Sequence, residues 1–458
     1  MSYSATCMEV VLKDSPLRSV RRVAHADTDV TRVIKEYRVR GFLERVRAAW
    51  LRSRAKVEFE NLATARARGL PCPRPLGFKV ERKLLPRLGM LELEDLGAGA
   101  TLDHVLEGHA DLGLCARAGQ LIARAFASGL EHRDLHLGNL FLAVDGTLHL
   151  LDLHSAHFHT GSVRPRSRHV RSLCLSLPWP EQRRLLEALL EPLEVVPPPE
   201  EVAAQLRTHL RRRLGRAVRS SGDFLVEGDG NDRWLARRGH AGTPDQWRAE
   251  VAAGRTVKEG RRGAVVEISD GVAFAKLRDE AAACRLWLAA EALALRKIPH
   301  PRTLAWFRGP AERWWVMATA CRGRPLSNAD PTDARALVAD LAKSVARLHA
   351  TGWRCRDLKA DNLLALEGRV HFVDLDGVRP MTMLGRRRAM AGDLSRLAAW
   401  ARFQAPENIR PLVPGLARRF LVHYLRCLTT LGAPLRRIDA FLEEVEGRCS
   451  AWQRRHRP

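Results

Sequence analysis

The chain has 458 residues, 46% of them hydrophobic and 28% charged, and a formal net charge of +24. That length exceeds what one hydrophobic core ordinarily serves, so two or three domains are expected, and the composition excludes a disordered or fibrous chain. The basic excess suits nucleic acid, an anionic membrane surface or an acidic small substrate; a general bias toward Arg accounts for it as readily, and no nucleic-acid recognition motif accompanies it.

In chain order, the opening MSYSATCMEVVLKDSP lacks the basic start, apolar run and small-residue cleavage site of a signal peptide. No stretch reaches about 18 uninterrupted apolar residues, so no transmembrane helix is expected. The nine cysteines, from Cys7 to Cys449, include no CxxC pair, which argues against a disulfide framework or zinc site and for the cytoplasm. MEVVL and TRVIKEY predict strands between Glu9 and Tyr37. A helix is predicted over Phe42 to Arg68, stopped by Gly69 and the proline cluster GLPCPRP, then a strand in LGMLELEDL and a helix over Leu114 to Ser128. The same order recurs in GAVVEIS and VAFAKLR, a helix over Asp279 to Lys297, the strand RWWVMATA and a helix over Asp333 to Ala350. Between the halves lie EPLEVVPPPEE and the basic helical run VAAQLRTHLRRRLGRAVR, and a boundary is expected near Ser220, giving domains 1–220 and 221–458.

Each second helix leads into Arg-Asp-Leu-x-x-x-x-Asn, as EHRDLHLGNLFL with Asp134 and Asn139 and as RCRDLKADNLLA with Asp357 and Asn362. A carboxylate and an amide on one tight loop suit deprotonation of an attacking hydroxyl beside a magnesium ion. Asp152 in LLDLH and Asp374 in FVDLD follow across a hairpin and would complete each metal site. Phosphoryl transfer also needs a cation on the nucleotide phosphates, steadied by an anion. Lys35 with Glu58 and Lys276 with Glu291 offer that pair on a strand and the next helix. Joint occurrence of all elements, twice and in one order, is far stronger than either loop alone.

These residues resemble protein-kinase-like folds. The first half, from IKEYRVRGFLERVRAAWLRSRAKVEFENLATARARGLPCPRPLG through HRDLHLGNLFL to LLDLHSA, most resembles the lipopolysaccharide kinases of Kdo or heptose; the second half resembles them more loosely over about residues 258 to 400. The resemblance implies an α+β architecture of two tandem bilobal domains, each with a small, mostly antiparallel β lobe and a mainly helical lobe. It implies ATP and Mg2+ as cofactors and a sugar hydroxyl of lipopolysaccharide inner core as acceptor, at the inner face of the cytoplasmic membrane. By position, Asp134 and Asp357 would be bases and Lys35 and Lys276 phosphate ligands anchored by Glu58 and Glu291. Asn139, Asp152, Asn362 and Asp374 would hold metal. A kinase of another small-molecule or protein acceptor stays open as an alternative, as does a nucleotide-binding scaffold in one repeat.

Departures are visible. The first half has no glycine-rich loop, only Ser15 and backbone N–H groups, whereas the second has Gly260 and Gly263. Cys355 replaces His132. His136, two residues after the first base, resembles small-molecule kinases, and Lys359 in its place resembles protein kinases and would neutralise the γ-phosphate. The triplet Ala405 to Glu407 reads as chance rather than the end of an activation segment, because the helix GDLSRLAAW precedes it. The first half lacks a counterpart of Asp393 there, so its catalytic loop is expected to be less firmly held. His154, His157 and His159 read as ordinary partly buried histidines or, alternatively, as metal ligands. RPRSRHVR reads either as a grip on an anionic acceptor or as a solvated run, RTHLRRRLGRAVR as a surface for anionic lipid, and Trp314 and Trp315 as core.

Overall fold

The computed structural model describes residues 8–14, 18–24, 31–38, 53–82, 86–108, 111–177, 183–195, 198–221, 223–229, 232–240, 242–260, 263–268, 271–309, 312–330, 332–382 and 384–455. Ser15 and most of the N-terminal part of the helix expected over Phe42 to Arg68 lie outside these. The chain divides into two compact units, Met1–Pro197 and Pro198–Pro458.

In the first unit, β1 (Met8–Asp14), β2 (Arg18–Ala24) and β3 (Thr31–Arg38) lead to α1 (Arg54–Ala67), then β4 (Pro75–Arg82) and β5 (Pro86–Glu94). The strands form one antiparallel sheet in the order β1-β2-β3-β5-β4. Ser53 caps α1 by accepting from Lys56 N–H at 3.2 Å, and Gly69 ends the helix at φ 73°, a conformation glycine adopts without Cβ strain. The second lobe comprises β6 (Gly99–Thr101), α2 (Leu102–Gly108), α3 (Leu112–Ala127), β7 (Leu130–His132), β8 (Leu140–Ala143), β9 (Leu148–Leu150), β10 (Ala156–Phe158), α4 (Ser167–Ser176) and α5 (Arg183–Leu190). Leu114, Ala118, Leu121, Ile122 and Ala125 recur at helical spacing and bury one face of α3, which is capped by Asp111.

The second unit opens with α6 (Pro199–Leu214), the hairpin β11 (Phe224–Glu227) and β12 (Trp234–Arg237), and α7 (Pro244–Ala253). Then come β13 (Arg255–Gly260), β14 (Gly263–Ile268), β15 (Ala273–Arg278), α8 (Glu280–Ala294), β16 (Thr303–Arg308) and β17 (Trp314–Thr319). Their order, β13-β14-β15-β17-β16, repeats that of the first sheet, and β12 and β11 extend it beyond β16. A helical lobe follows: β18 (Arg324–Pro325), α9 (Ala334–Ala350), β19 (Trp353–Cys355), β20 (Leu363–Leu366), β21 (Arg369–Phe372), β22 (Val378–Pro380), α10 (Arg386–Phe403), α11 (Val413–Thr430) and α12 (Ile438–Arg455). The small sheets also correspond, β6-β8-β9 with β18-β20-β21 and β7-β10 with β19-β22.

The division falls before α6 rather than near Ser220, because the segment after that helix is built into the second unit's core. Ala217 is buried there, and its carbonyl accepts from Trp287 Nε1 at 2.9 Å. Adjacent Trp314 and Trp315 point to opposite faces of their strand, as the twofold strand period requires. Trp314 joins the core between sheet, α8 and α9, while Trp315 joins a separate cluster with Trp247 of α7. Both tryptophans are core, as expected from the sequence.

Candidate active sites

In both units the loop geometry follows from a short 3-10 turn leading into a hairpin. Asn139 Nδ2 donates to the Asp134 carbonyl at 2.8 Å, and Asn362 Nδ2 donates to the Asp357 carbonyl at 3.0 Å. The hairpin brings the second carboxylate back beside the amide. Leu151 N–H, immediately before Asp152, donates to the Asn139 carbonyl at 2.8 Å, and Val373 N–H, before Asp374, donates to the Asn362 carbonyl at 3.1 Å. Asn362 Nδ2 also reaches Asp357 Oδ2 at 3.0 Å, which fixes the carboxylate's orientation.

Across the first unit's cleft, Lys35 Nζ lies 2.7 Å from Glu58 Oε1 and 3.8 Å from Asp152 Oδ1. Glu58 is fully buried and also accepts from Tyr37 OH. Burial, aided by the Glu58 and Asp152 charges, raises the Tyr37 phenol well above its ordinary pKa. Asp152 sits in the left-handed region at φ 60° and accepts from Arg18 Nη1 at 2.5 Å, with His154 Nδ1 at 2.7 Å. Burial alone would raise its pKa; the His154 hydrogen bond and the Lys35 and Arg18 charges together pull it below the usual carboxylate value. Glu58, Asp152 and His154 form one cluster able to hold a metal, a different set from the three histidines singled out in the sequence. His159 instead lies 3.0 Å from Glu131, and His157 is exposed.

The second unit differs at the expected Lys–Glu pair. Lys276 does not meet Glu291: that carboxylate is buried against Arg237 of β12 and accepts from Thr303 Oγ1 at 3.2 Å. Burial raises its pKa. The residues of α8 that face the cleft are Ala282, Arg285 and Leu286, a helical face that Glu291 in the last turn does not share. Lys276 has Asp374 Oδ1 at 3.6 Å, and that buried oxygen has no hydrogen-bond partner. Arg278 forms a two-pronged bridge to Asp376, at 3.2 and 2.7 Å. Strand alternation puts Lys276 and Arg278 on one face of β15, while Ala275 and Leu277 are buried on the other. Neither Arg278–Asp376 nor Arg18–Asp152 was singled out in the sequence, although the two-residue spacing from Lys276 and from Asp374 is a legible signal for the first.

Gly260 and Gly263 pair across the hairpin over this cleft, and Gly263 has φ 133° with Leu277 O where a Cβ would stand. His136 Nε2 lies 3.8 Å from Asp134 Oδ2; Lys359, two residues after Asp357, is half-buried. Cys355, in the place of His132, is buried, which raises its thiol pKa and makes it unsuited to act as a nucleophile.

Both candidate loops are tied to the following helix, with opposite polarity. In the second unit fully buried Asp393 accepts from Arg354 at 3.0 and 2.5 Å and from Cys355 N–H at 2.8 Å, and it contacts His349 Nε2 at 3.2 Å. In the first unit the loop supplies the anion, Glu131, and the helix region supplies Arg168 and, at 3.3 Å, Arg166. The loop is therefore held without an Asp393 counterpart, by two arginines of RPRSRHVR that are more exposed than the partners of Asp393.

Residues 11–188 match the model of the Lipopolysaccharide kinase (Kdo/WaaP) family. Two 3-deoxy-D-manno-octulosonic acid kinases of Xylella fastidiosa strains are each 27% identical to this chain over 168 residues, 35% of this chain and 68% of theirs. An aminoglycoside phosphotransferase of Streptomyces rimosus is similar at 19% identity and a TM-score of 0.33, covering 45% of this chain and 96% of that one. Over residues 11–188 the chain is thus similar to the lipopolysaccharide kinase family, and its class of activity is that of a kinase.

Proposed function

We propose that the chain is a tandem of two protein-kinase-like domains that use Mg·ATP to phosphorylate a sugar hydroxyl of lipopolysaccharide inner core. The observation that carries this reading is the doubled loop, in which Asn139 and Asn362 each brace the backbone of a base and abut the strand bearing a second carboxylate. Asp134 or Asp357 takes the hydroxyl proton as the sugar oxygen forms its bond to the γ-phosphorus. The bond from that phosphorus to the bridging oxygen breaks, and ADP leaves with the electron pair. Lys35, steadied by Glu58, offsets phosphate charge in the first domain, and Lys276 does so in the second.

The donor set of Asn362 and Asp374 fits a hard divalent cation, since the buried Asp374 Oδ1 lacks any hydrogen bond. Asn139 and Asp152 are the matching set, with Arg18 on one Asp152 oxygen. A magnesium ion held there would neutralise charge on the transferred phosphoryl group. No described helix is long and apolar enough to cross a membrane. The last turn of α6 carries Arg211, Arg212 and Arg213, suited to an anionic membrane face. A second reading, in which the second domain is a nucleotide-binding scaffold, is favoured by the loss of Glu291 to Arg237.

The test is transfer of labelled phosphate from Mg·ATP to dephosphorylated lipopolysaccharide core by the wild type, Asp134→Asn and Asp357→Asn. Loss of about 10³-fold or more in a single variant identifies the active domain. Absence of transfer by folded wild type to any core acceptor would overturn the glycolipid reading.

A further inference from the structure

The second unit's cleft is far more basic than a nucleotide requires. A cavity of about 1090 Å³ contains Asp357, Asn362, Asp374 and Lys276 in its wall, large enough for a triphosphate and a sugar together. Eight of its lining residues are Lys or Arg and four are Asp, an excess of four positive charges. Mg·ATP carries a net charge of about −2, so it leaves roughly half that excess unmatched.

The unmatched charge belongs to arginines with no other employment. Arg285, Arg313, Arg356, Arg379 and Arg396 all line this cavity and are exposed. None of their side chains has a hydrogen bond or ion pair among the described residues, in a protein whose other arginines are widely paired. Three flank the base from separate elements. Arg356 is its neighbour in the loop, Arg379 lies on β22 opposite Arg354, and Arg396 projects from α10. The position equivalent to Arg379 in the first unit, opposite Glu131, is His157. Guanidinium groups meet phosphate and carboxylate oxygens with paired N–H donors, and a neutral sugar hydroxyl gains no comparable charge-assisted bond.

The geometry points to a second unit that phosphorylates an acceptor already bearing an anionic group, a phosphomonoester or a carboxylate near the accepting hydroxyl. This deepens the kinase reading of that site and rests on it. A reaction that installs the anion must come first; for a phosphomonoester that is an earlier phosphoryl transfer, the class of reaction the first unit belongs to.

The test uses the full chain with Asp134→Asn, so that transfer reports the second unit. Three acceptors are compared at saturating Mg·ATP: core oligosaccharide carrying a phosphomonoester, the same material dephosphorylated, and the dephosphorylated material with its carboxylates reduced. Preference of at least about tenfold in kcat/KM for an anionic form over the reduced neutral one is expected, and which form is preferred identifies the anion. Arg379→Gln with Arg396→Gln should raise the acceptor KM about tenfold and leave the ATP KM within about twofold. Equal use of all three acceptors, or an unchanged acceptor KM in the double variant, overturns the inference.

Should no acceptor be turned over, the kinase reading of this unit fails separately. Equilibrium binding of the phosphorylated oligosaccharide to Asp357→Asn, with and without the two Arg substitutions, then decides the anion site. Binding that weakens about tenfold with the substitutions supports it, and absent or unaltered binding overturns it.

Discussion

The two units repeat one scaffold, with the same sheet order and the same loop bracing, and wire it with different charges. In the first, Lys35 is clamped by Glu58 and Asp152 is crowded by Arg18 and His154; in the second, the ion-pair partner of Lys276 among the described residues is Asp374, whose inner oxygen accepts no hydrogen bond. The loop tether is inverted as well, from Glu131 with Arg168 to Arg354 with Asp393. Backbone hydrogen bonding and apolar packing thus define the cleft, while the identity of its ion pairs is interchangeable so long as each buried charge finds a partner.

The largest effect should come from breaking the deeper tether. Asp393→Ala leaves Arg354, His349 and Cys355 N–H without their shared acceptor and should cost about 3–5 kcal/mol of stability. Glu131→Ala, whose arginine partners are 36% and 60% exposed, should cost about 1–2 kcal/mol by the same denaturant titration. Equal losses would show that burial does not separate the two tethers.

The Lys-to-Glu arrangement is sharpened by a matched pair of substitutions. Glu58→Gln should slow the first unit's transfer about 10- to 100-fold, or 1.4–2.8 kcal/mol of barrier. Glu291→Gln should leave the second unit's ATP KM within about twofold and cost roughly 1–3 kcal/mol of stability, because it unpairs Arg237. A raised ATP KM in Glu291→Gln would restore the original pairing.

Acid sensitivity should also separate the units. His169 is buried beside Arg168 and Arg166, and burial followed by Arg168 lowers its pKa to about 4 from 6.5. As pH falls from 6.5 toward 4 the unfolded chain takes up a proton that the native His169 refuses, so stability drops over that window and is whole above it. His169→Gln should flatten this part of the stability profile by roughly 2 kcal/mol. An unaltered slope would assign the loss to other groups, His300 of the second unit among them, which burial also lowers to about 4.

The smallest effect concerns Arg18. With Asp374→Asn silencing the second candidate metal set, Arg18→Ala should tighten Mn2+ binding at Asp152 by about tenfold, as a competing cation is removed. Unchanged binding would show that Arg18 does not compete there.

Much of this was legible in the sequence. The spacing of Asp134 and Asn139, and of Asp357 and Asn362, is local, and one short turn brings each pair together whatever the rest of the fold does. The alternation in VAFAKLR likewise puts Lys276 on the strand face opposite buried Ala275 and Leu277. Glu58 was within reach because it lies in the second turn of α1, close behind the strand that carries Lys35.

Glu291 was not, since a glutamate on the right helix satisfies the spacing at any rotation, and about 100° per residue decides which face it joins. Its partner Arg237 arrives from the hairpin of β11 and β12, distant in sequence and not signalled by either motif. The same holds for Arg18 on Asp152, for Glu131 on Arg168 and for the five arginines around Asp357 that are unpaired among the described residues. By itself the sequence determined the repeated loops, the strands that bear the lysines and the helices that follow them, because short-range backbone geometry and periodicity suffice for those. Tertiary structure alone decided which charges pair and which are left facing the cleft, because a charge buried by packing takes whichever opposite charge the fold delivers.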